Sequence, residues 1–234
     1  SPITKIINDF GDAVNDFADQ ELRTGWIEMT PEDEKDTAML KDLANTALAD
    51  TADAPCKLTF KVKTKISAKG GGQEEKEVEK PVPFRAPPSP HVTLAHSDDG
   101  VPGMMFAYVH MGSSNVEVTL THIVRGDVKV TFPPRKGTTE SVVVGLTIYV
   151  ALASSELTDK LGRANDAHIT LQRHRNCPAV HGRRVALEAR EFLVREKHDD
   201  NPTASFTSDD GSVMTIHTLP EPIIVPMKVV RRTQ

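Results

Sequence analysis

The side chains with the clearest capacity for chemistry lie between residues 167 and 187, a stretch that contains no acidic residue. Arginine presents a rigid fork of N–H donors that matches phosphate and carboxylate groups. The stretch is therefore a candidate binding site for nucleic acid or another polyanion. The alternative is a structural contact with acidic residues of the same chain or of a neighbouring copy. The candidate polyanion-binding residues are Arg173, Arg175, Arg183 and Arg184.

Four residues of types that bind zinc fall in or beside the same stretch: His168, His174, Cys177 and His181. Their spacings do not match a common zinc finger, and no Cys-X-X-Cys pair accompanies them. The sequence leaves open whether they converge on a metal ion. We predict no metal site and no cofactor.

The chain has 9 histidines, which is the sole motive for an enzymatic hypothesis. In that hypothesis, histidine and aspartate side chains from several strands meet in space. The sequence contains no nucleophile elbow, phosphate-binding loop or dinucleotide fingerprint. We therefore predict no particular catalytic residue. The histidines on predicted strands are His91, His96, His110, His122 and His217.

The composition is that of a globular protein, with 38% hydrophobic and 26% charged residues in 234. Aromatic residues make up only 5%, fewer than a stacking platform for carbohydrate or single-stranded nucleic acid would need. No apolar run approaches the roughly 20 residues of a membrane span, so we predict no membrane partner. The 2 cysteines cannot form a disulfide framework and favour a reducing compartment. The localisation stays open between a virion and the cytoplasm.

Charge is distributed unevenly along the chain. Residues 1–54 carry 13 acidic and 4 basic side chains, whereas residues 55–234 carry 20 acidic and 24 basic ones. We divide the chain accordingly into an acidic helical N-terminal segment, 1–54, and a β-rich domain, 55–234. The opposite net charges of the two parts could help copies to associate, or they could reflect only the solvated faces of the helices.

Two helices are predicted in the N-terminal segment. Apolar residues recur every three or four positions in the first, which is the pattern of an amphipathic helix. This helix either packs on its own β domain or forms a subunit interface through Ile3, Ile7, Phe10, Val14 and Phe17. The second helix is predicted to begin at Thr30 and Pro31, because Thr caps helices and Pro suits the first turn.

From Cys56 the apolar residues recur every second position, as they do in strands. Lys61, Lys63 and Lys65 are predicted to lie opposite Glu79, Glu77 and Glu75 in a long hairpin. Further strands are expected at 91–96, 104–111, 115–124, 127–132, 141–152 and 167–172, with a tight turn at 125–126. One later helix is predicted at 181–197, followed by a hairpin over 205–217 and an edge strand over 223–230.

The predicted fold class is α+β and mainly β: N-terminal helices precede an antiparallel β sandwich or jelly-roll-like body with one later helix. The absence of catalytic motifs favours a non-enzymatic structural or assembly protein, the subunit of a homo-oligomeric virion capsid, tail or filament. A polyanion-binding or nucleic-acid-binding module is the alternative, and an enzyme built on the histidines is the third hypothesis.

Overall fold

The computed structural model describes residues 22–49, 57–65, 73–81, 84–134, 141–196 and 202–233. The helices are α1 (Glu34–Ala49), α2 (Gly100–Tyr108), α3 (Glu156–Lys160) and α4 (Val180–Arg195). The strands are β1 (Trp26–Pro31), β2 (Lys57–Lys65), β3 (Gln73–Pro81), β4 (Phe84–Arg85), β5 (Val92–His96), β6 (Val116–Phe132), β7 (Val142–Ser154), β8 (His168–His174), β9 (Thr203–Thr207) and β10 (Val213–Arg232).

One antiparallel sheet of 8 strands forms the body, in the order β1-β5-β8-β7-β6-β10-β9, with β4 paired to β8. Strand β1 also pairs with β10, so six of these strands form a closed ring. Strand β10 is long enough, at 20 residues, to pair with β6 and β9 at its start and with β1 at its end. The hairpin β2–β3 forms a separate sheet of 2 strands.

Each face of the main sheet is covered by its own hydrophobic cluster. The first cluster includes Leu40 of α1 and Met104 of α2, packed against residues such as Ala151 of β7. The second contains Val185 of α4, packed against residues such as Val150 of β7. Because successive strand residues point to opposite faces, Val150 and Ala151 belong to different clusters. Helix α4 therefore lies on the opposite side of the sheet from α1 and α2.

The prediction of a mainly β chain is confirmed, but a sandwich or jelly roll is not, because the large sheet is a single one. The predicted first helix, with Ile3, Ile7, Phe10, Val14 and Phe17, lies outside the described residues. The second helix begins at Glu34, since residues up to Pro31 belong to β1. The cap is provided by Asp33, whose Oδ1 accepts a hydrogen bond of 2.8 Å from the Asp36 N–H.

The predicted lysine–glutamate hairpin exists, in a register shifted by two residues. Lys63 lies opposite Glu75 and Lys61 opposite Glu77, and Lys65 lies opposite Gln73. A shift of two residues keeps the same side chains on the same face, which is why the alternating pattern could not distinguish the two registers.

Two strand predictions are wrong. Residues 104–111, expected as a strand, lie largely in helix α2 and the turn after it. Residues 116–132 form the single strand β6, with no reversal at Gly126. A Cβ at Gly126 would lie 2.5 Å from Cγ2 of Val185, so this glycine serves the close approach of α4 to the sheet.

The later helix is confirmed as α4, and the hairpin over 205–217 as β9 and the start of β10. The last strand is not at an edge, because Pro226 lies within β10, opposite Glu117 of β6. Among the described residues, no helix has both the length and the apolar character needed to cross a membrane.

Candidate acid–base site

The site lies where β5 and β8 meet. Val92 of β5 is paired with Ile169 of β8, and both side chains are 0% exposed in the first hydrophobic cluster. Because side chains alternate along a strand, the residues on either side of each point to the opposite face. These flanking residues are His91 and Thr93 in one segment and His168 and Thr170 in the other.

The two segments have the same pattern, His-Val-Thr-Leu at 91–94 and His-Ile-Thr-Leu at 168–171. In an antiparallel pair with Val92 opposite Ile169, His91 lies opposite Thr170 and Thr93 lies opposite His168. The four side chains therefore form a square with the histidines on one diagonal and the threonines on the other. Diagonal neighbours on a sheet are about 7–8 Å apart, which leaves room for a small group between the two rings.

Both histidine rings are held in the same way. Nδ1 of His91 lies 3.0 Å from the carbonyl oxygen of Ser89, and Nδ1 of His168 lies 2.8 Å from that of Asp166. A carbonyl oxygen can only accept, so each Nδ1 donates and carries the hydrogen in the neutral ring. Nε2 of each ring is then free to accept or deliver a proton.

A buried carboxylate lies beside the ring of His91. Nε2 of His91 lies 3.7 Å from Oε2 of Glu28, a side chain of β1 that is only 3% exposed. The same oxygen accepts a hydrogen bond of 2.6 Å from Nε1 of Trp26, and Oε1 accepts one of 2.8 Å from Nε of Arg232. On β1, Glu28 is the residue opposite Thr93, which puts it on the same face as the square.

The environment of His168 favours the neutral ring. Burial lowers the pKa of His168, and the nearby His91 and Arg190 lower it further, while the contact with Asp166 raises it. Arg190 belongs to α4 and donates from Nη2 to the carbonyl oxygens of Ala153 and Ala167, at 2.6 and 3.1 Å. A half-buried guanidinium thus lies on the His168 side of the site, opposite in charge to the carboxylate on the His91 side.

The first turn of α4 reaches the site through Gly182. A Cβ at this position would lie 2.7 Å from Nε2 of His168 and 3.1 Å from Oγ1 of Thr170. Glycine is therefore the residue that allows α4 to approach both atoms this closely. The hydroxyls of Thr93 and Thr170 are half-buried, and neither makes a hydrogen bond within the part of the chain that the structure describes.

Of the four arginines predicted to bind a polyanion, Arg183 is the one next to the square. It follows Gly182, and its Nε donates to Oδ2 of Asp166 at 2.5 Å, with its side chain 56% exposed. Arg184 instead pairs with Glu188 and Asp210 on the other side of α4. Arg173 donates to the carbonyl oxygen of Cys177, and Arg175 is exposed in the turn after β8.

The residues of zinc-binding type do not gather. Nδ1 of His174 accepts a hydrogen bond of 2.7 Å from the Thr147 N–H, in a buried position away from the square. Burial raises the pKa of the Cys177 thiol to about 11. Within the described ranges, no three His, Cys, Asp or Glu side chains are arranged to hold a metal ion.

This site was not among the predictions from sequence, although the sequence contains a signal for it. There, His91 is a histidine on a predicted strand and His168 is one of four residues of zinc-binding type. The repeat His-X-Thr-Leu, with a β-branched residue at X and each copy at the start of a predicted strand, identifies both segments at once. Two copies of one pattern on strands of one sheet are the signal that the analysis could have used.

No protein-family model matches the chain, and no curated protein matches it. Among solved structures, the chain resembles one titled "Crystal Structure of Fungal RNA Kinase", with 10% sequence identity and a TM-score of 0.48. The alignment covers 90% of this chain and 46% of the other, so this chain spans less than half of that protein's length.

The prediction of a non-enzymatic structural or assembly subunit is wrong. One solved structure that the chain resembles is titled as an RNA kinase, not as a virion, tail or filament protein. The long strands that suggested an assembly surface are used within the chain, since β1 and β10 pair with each other and close the sheet.

Proposed function

We propose that this protein is a phosphodiesterase, in which His168 acts as the general base and His91 as the general acid. The observation that supports the proposal is the register of Val92 opposite Ile169, which sets two identical His-X-Thr segments face to face. A displacement at phosphorus has its attacking and leaving oxygens roughly in line on opposite sides of the phosphorus atom. Two imidazoles on one diagonal suit that geometry better than acyl transfer, which needs a single base beside its nucleophile.

The roles follow from the surroundings of each ring. His168 is the base, because its pKa is lowered and its Nε2 is unprotonated at neutral pH. His91 is assigned as the acid, because its Nε2 lies 3.7 Å from Oε2 of Glu28. Acid and base groups set apart by their environments are the usual arrangement for proton transfer at neutral pH.

In the reaction, Nε2 of His168 removes a proton from water as the water oxygen bonds to phosphorus. The bond from phosphorus to the leaving oxygen breaks, and that oxygen takes the proton from Nε2 of His91. The products are a phosphomonoester and an alcohol, and proton exchange with solvent restores both rings. The hydroxyls of Thr93 and Thr170 donate to the two non-bridging oxygens, where negative charge accumulates. Arg183, at the edge of the square, supplies a positive charge for the incoming diester.

The test is a screen of the purified protein against phosphodiesters, namely bis(4-nitrophenyl) phosphate, a dinucleoside phosphate and cyclic nucleotides. We expect multiple turnovers on at least one of them. His168→Asn should lower kcat by about 100-fold or more, since general base catalysis typically contributes a factor of that size.

Arg184→Gln provides the matched control, because Arg184 is the neighbour of Arg183 on α4 but pairs with Glu188 and Asp210 away from the square. It should retain wild-type rates. A protein that cleaves none of these diesters, or whose activity survives His168→Asn in a folded variant, would contradict the proposal.

A further inference from the structure

We infer that Glu28 is a positioning residue for proton donation by His91, an inference that rests on the proposed function. Its side chain is 3% exposed and contacts three groups: the indole of Trp26 on β1, the guanidinium of Arg232 on β10, and the ring of His91 just before β5. A carboxylate this deeply buried needs partners for its charge, and here the partners are a guanidinium, an indole N–H and an imidazole. Two of them fix the carboxylate, and the third is the proposed acid.

The two carboxylate oxygens of Glu28 have different partners. Oε1 accepts from Nε of Arg232 at 2.8 Å, which ties Glu28 to β10. Oε2 accepts from Nε1 of Trp26 at 2.6 Å and faces Nε2 of His91 at 3.7 Å. Trp26 and Arg232 are themselves opposite each other in the β1–β10 register, so the carboxylate is held from both sides. It can stabilise a proton on His91 without moving.

On the other half of the site the carboxylate is that of Asp166, but its Oδ2 pairs with Arg163 and Arg183. Among the described residues, no ion pair joins it to Nε2 of His168. From α4 the half-buried cation Arg190 lies near His168, and its charge opposes a proton on that ring. The repeated His-X-Thr pattern is thus symmetric in sequence and asymmetric in its surroundings. Glu28 beside His91, and burial with Arg190 beside His168, make the two histidines different, and together they set the direction of proton flow.

The experiment compares two leaving groups. The 4-nitrophenolate of bis(4-nitrophenyl) phosphate departs without a proton, whereas the alkoxide of the dinucleotide uridylyl-(3′→5′)-adenosine needs one. Glu28→Gln keeps the size of the side chain and removes its charge. We expect it to lower kcat on the dinucleotide by about tenfold or more and to change kcat on the nitrophenyl diester by about twofold or less. Glu28→Asp, which keeps the charge, should recover part of the loss on the dinucleotide.

Glu188→Gln is the matched control, because it removes the charge of another ion-paired glutamate, whose partner is Arg184 away from the square. It should keep the wild-type ratio of the two rates. A purely structural Glu28 predicts a different outcome: Glu28→Gln would lower both rates in parallel, in proportion to the folded fraction measured by circular dichroism. That outcome, or an unchanged dinucleotide rate in Glu28→Gln, overturns the inference.

The failure of the proposed function would look different. In that case the wild-type protein itself would cleave neither diester, and the two leaving groups could not be compared. If the wild type cleaves both diesters and Glu28→Gln affects the two rates equally, only the role given to Glu28 is contradicted.

Discussion

Nε2 of His168 faces the first turn of α4 at the one residue there without a side chain, Gly182, where a Cβ would lie 2.7 Å away. Helix α4 approaches this part of the sheet as closely as it does at Gly126, where a Cβ would meet Val185 at 2.5 Å. The two glycines therefore allow α4 to pack closely on the sheet at two places. Of the two, Gly182 is the one that lies beside an atom of the proposed reaction, Nε2 of His168.

Gly182→Ala should abolish activity and leave the fold intact. The added methyl group would collide with the end of a side chain, which can rotate, so the ring of His168 is displaced and not the backbone. Alanine also favours a helix by about 1 kcal/mol over glycine, which offsets part of the strain. We expect kcat to fall by about 100-fold or more with little change in the thermal unfolding midpoint.

The control for this variant is Gly162→Ala, at a glycine with no neighbour near its Cβ position. Because Gly162 has a φ of +69°, alanine there costs stability through the backbone and not through the site. It should lower the unfolding midpoint and leave kcat unchanged. Wild-type activity in a folded Gly182→Ala protein would show that Nε2 of His168 takes no part in turnover.

The threonine hydroxyls should matter for the transition state. Thr93→Val and Thr170→Val keep the shape of the side chain and remove its donor. If each hydroxyl bonds a non-bridging oxygen, kcat/KM should fall by about 100-fold in each variant, as it does when an oxyanion donor is removed. Thr93→Ser and Thr170→Ser should retain most of the activity. Steady-state kinetics on the preferred diester provide the measurement, and equal rates for the Val and Ser variants would rule out this role.

Much of the sheet could be predicted from the sequence, because burial on one face leaves a period of two. That pattern correctly gives β5, β7 and β8, and the Asp-Gly turn correctly gives the β9–β10 hairpin. It fails where a continuous strand passes through Gly126, since arginine followed by glycine is also typical of a turn. It also fails at residues 104–111, where Met, Phe and Val form a helix against β1 and β5.

The site could be predicted only in part. The sequence contains both His-X-Thr segments, but it cannot give the register that pairs Val92 with Ile169. Nor could it show that Glu28 lies beside His91, since these residues come together through the pairing of β1 with β5. Periodicity assigns faces, whereas partners that are far apart in sequence depend on strand order.

The positive charge of Arg190 should affect the pH dependence of kcat/KM. The groups around His168 are Asp166, which raises its pKa, and His91 and Arg190, which lower it together with burial. Because His168 must be neutral to act as a base, the acidic limb of the kcat/KM profile should lie below pH 6.5, the ordinary value for histidine. Arg190→Gln removes one lowering influence and should move that limb to higher pH.

Arg190→Lys is the control, because it keeps the positive charge and loses the planar fork that contacts Ala153 and Ala167. It should leave the acidic limb near its wild-type position, and both variants should lose stability to a similar extent. The measurement is kcat/KM from pH 4.5 to 9. Equal displacement of the limb in both variants would assign the effect to packing and not to charge.

A second histidine, His174, should make the folded state sensitive to acid without affecting catalysis. It is 1% exposed and packs on Phe84, with ring centroids 4.1 Å apart. Burial lowers its pKa to about 4; the nearby Arg125 also lowers it, while Asp127 raises it. The folded protein therefore holds the ring neutral at a pH where the unfolded chain protonates it.

The sign follows from the two pKa values. A histidine with a lower pKa in the folded state contributes its full stability above about pH 6.5 and loses it as the pH falls towards 4. Each unit of pKa difference corresponds to about 1.4 kcal/mol, so the free energy of unfolding should fall by up to about 3 kcal/mol over this range.

His174→Asn keeps an acceptor for the Thr147 N–H and cannot titrate. It should be less stable at pH 7.5, owing to lost packing on Phe84, yet show a flatter dependence on pH. Urea unfolding of both proteins at pH 7.5 and 5.0 measures the difference. An equal loss of unfolding free energy in the wild type and the variant would mean that His174 has the same pKa in the folded and unfolded states.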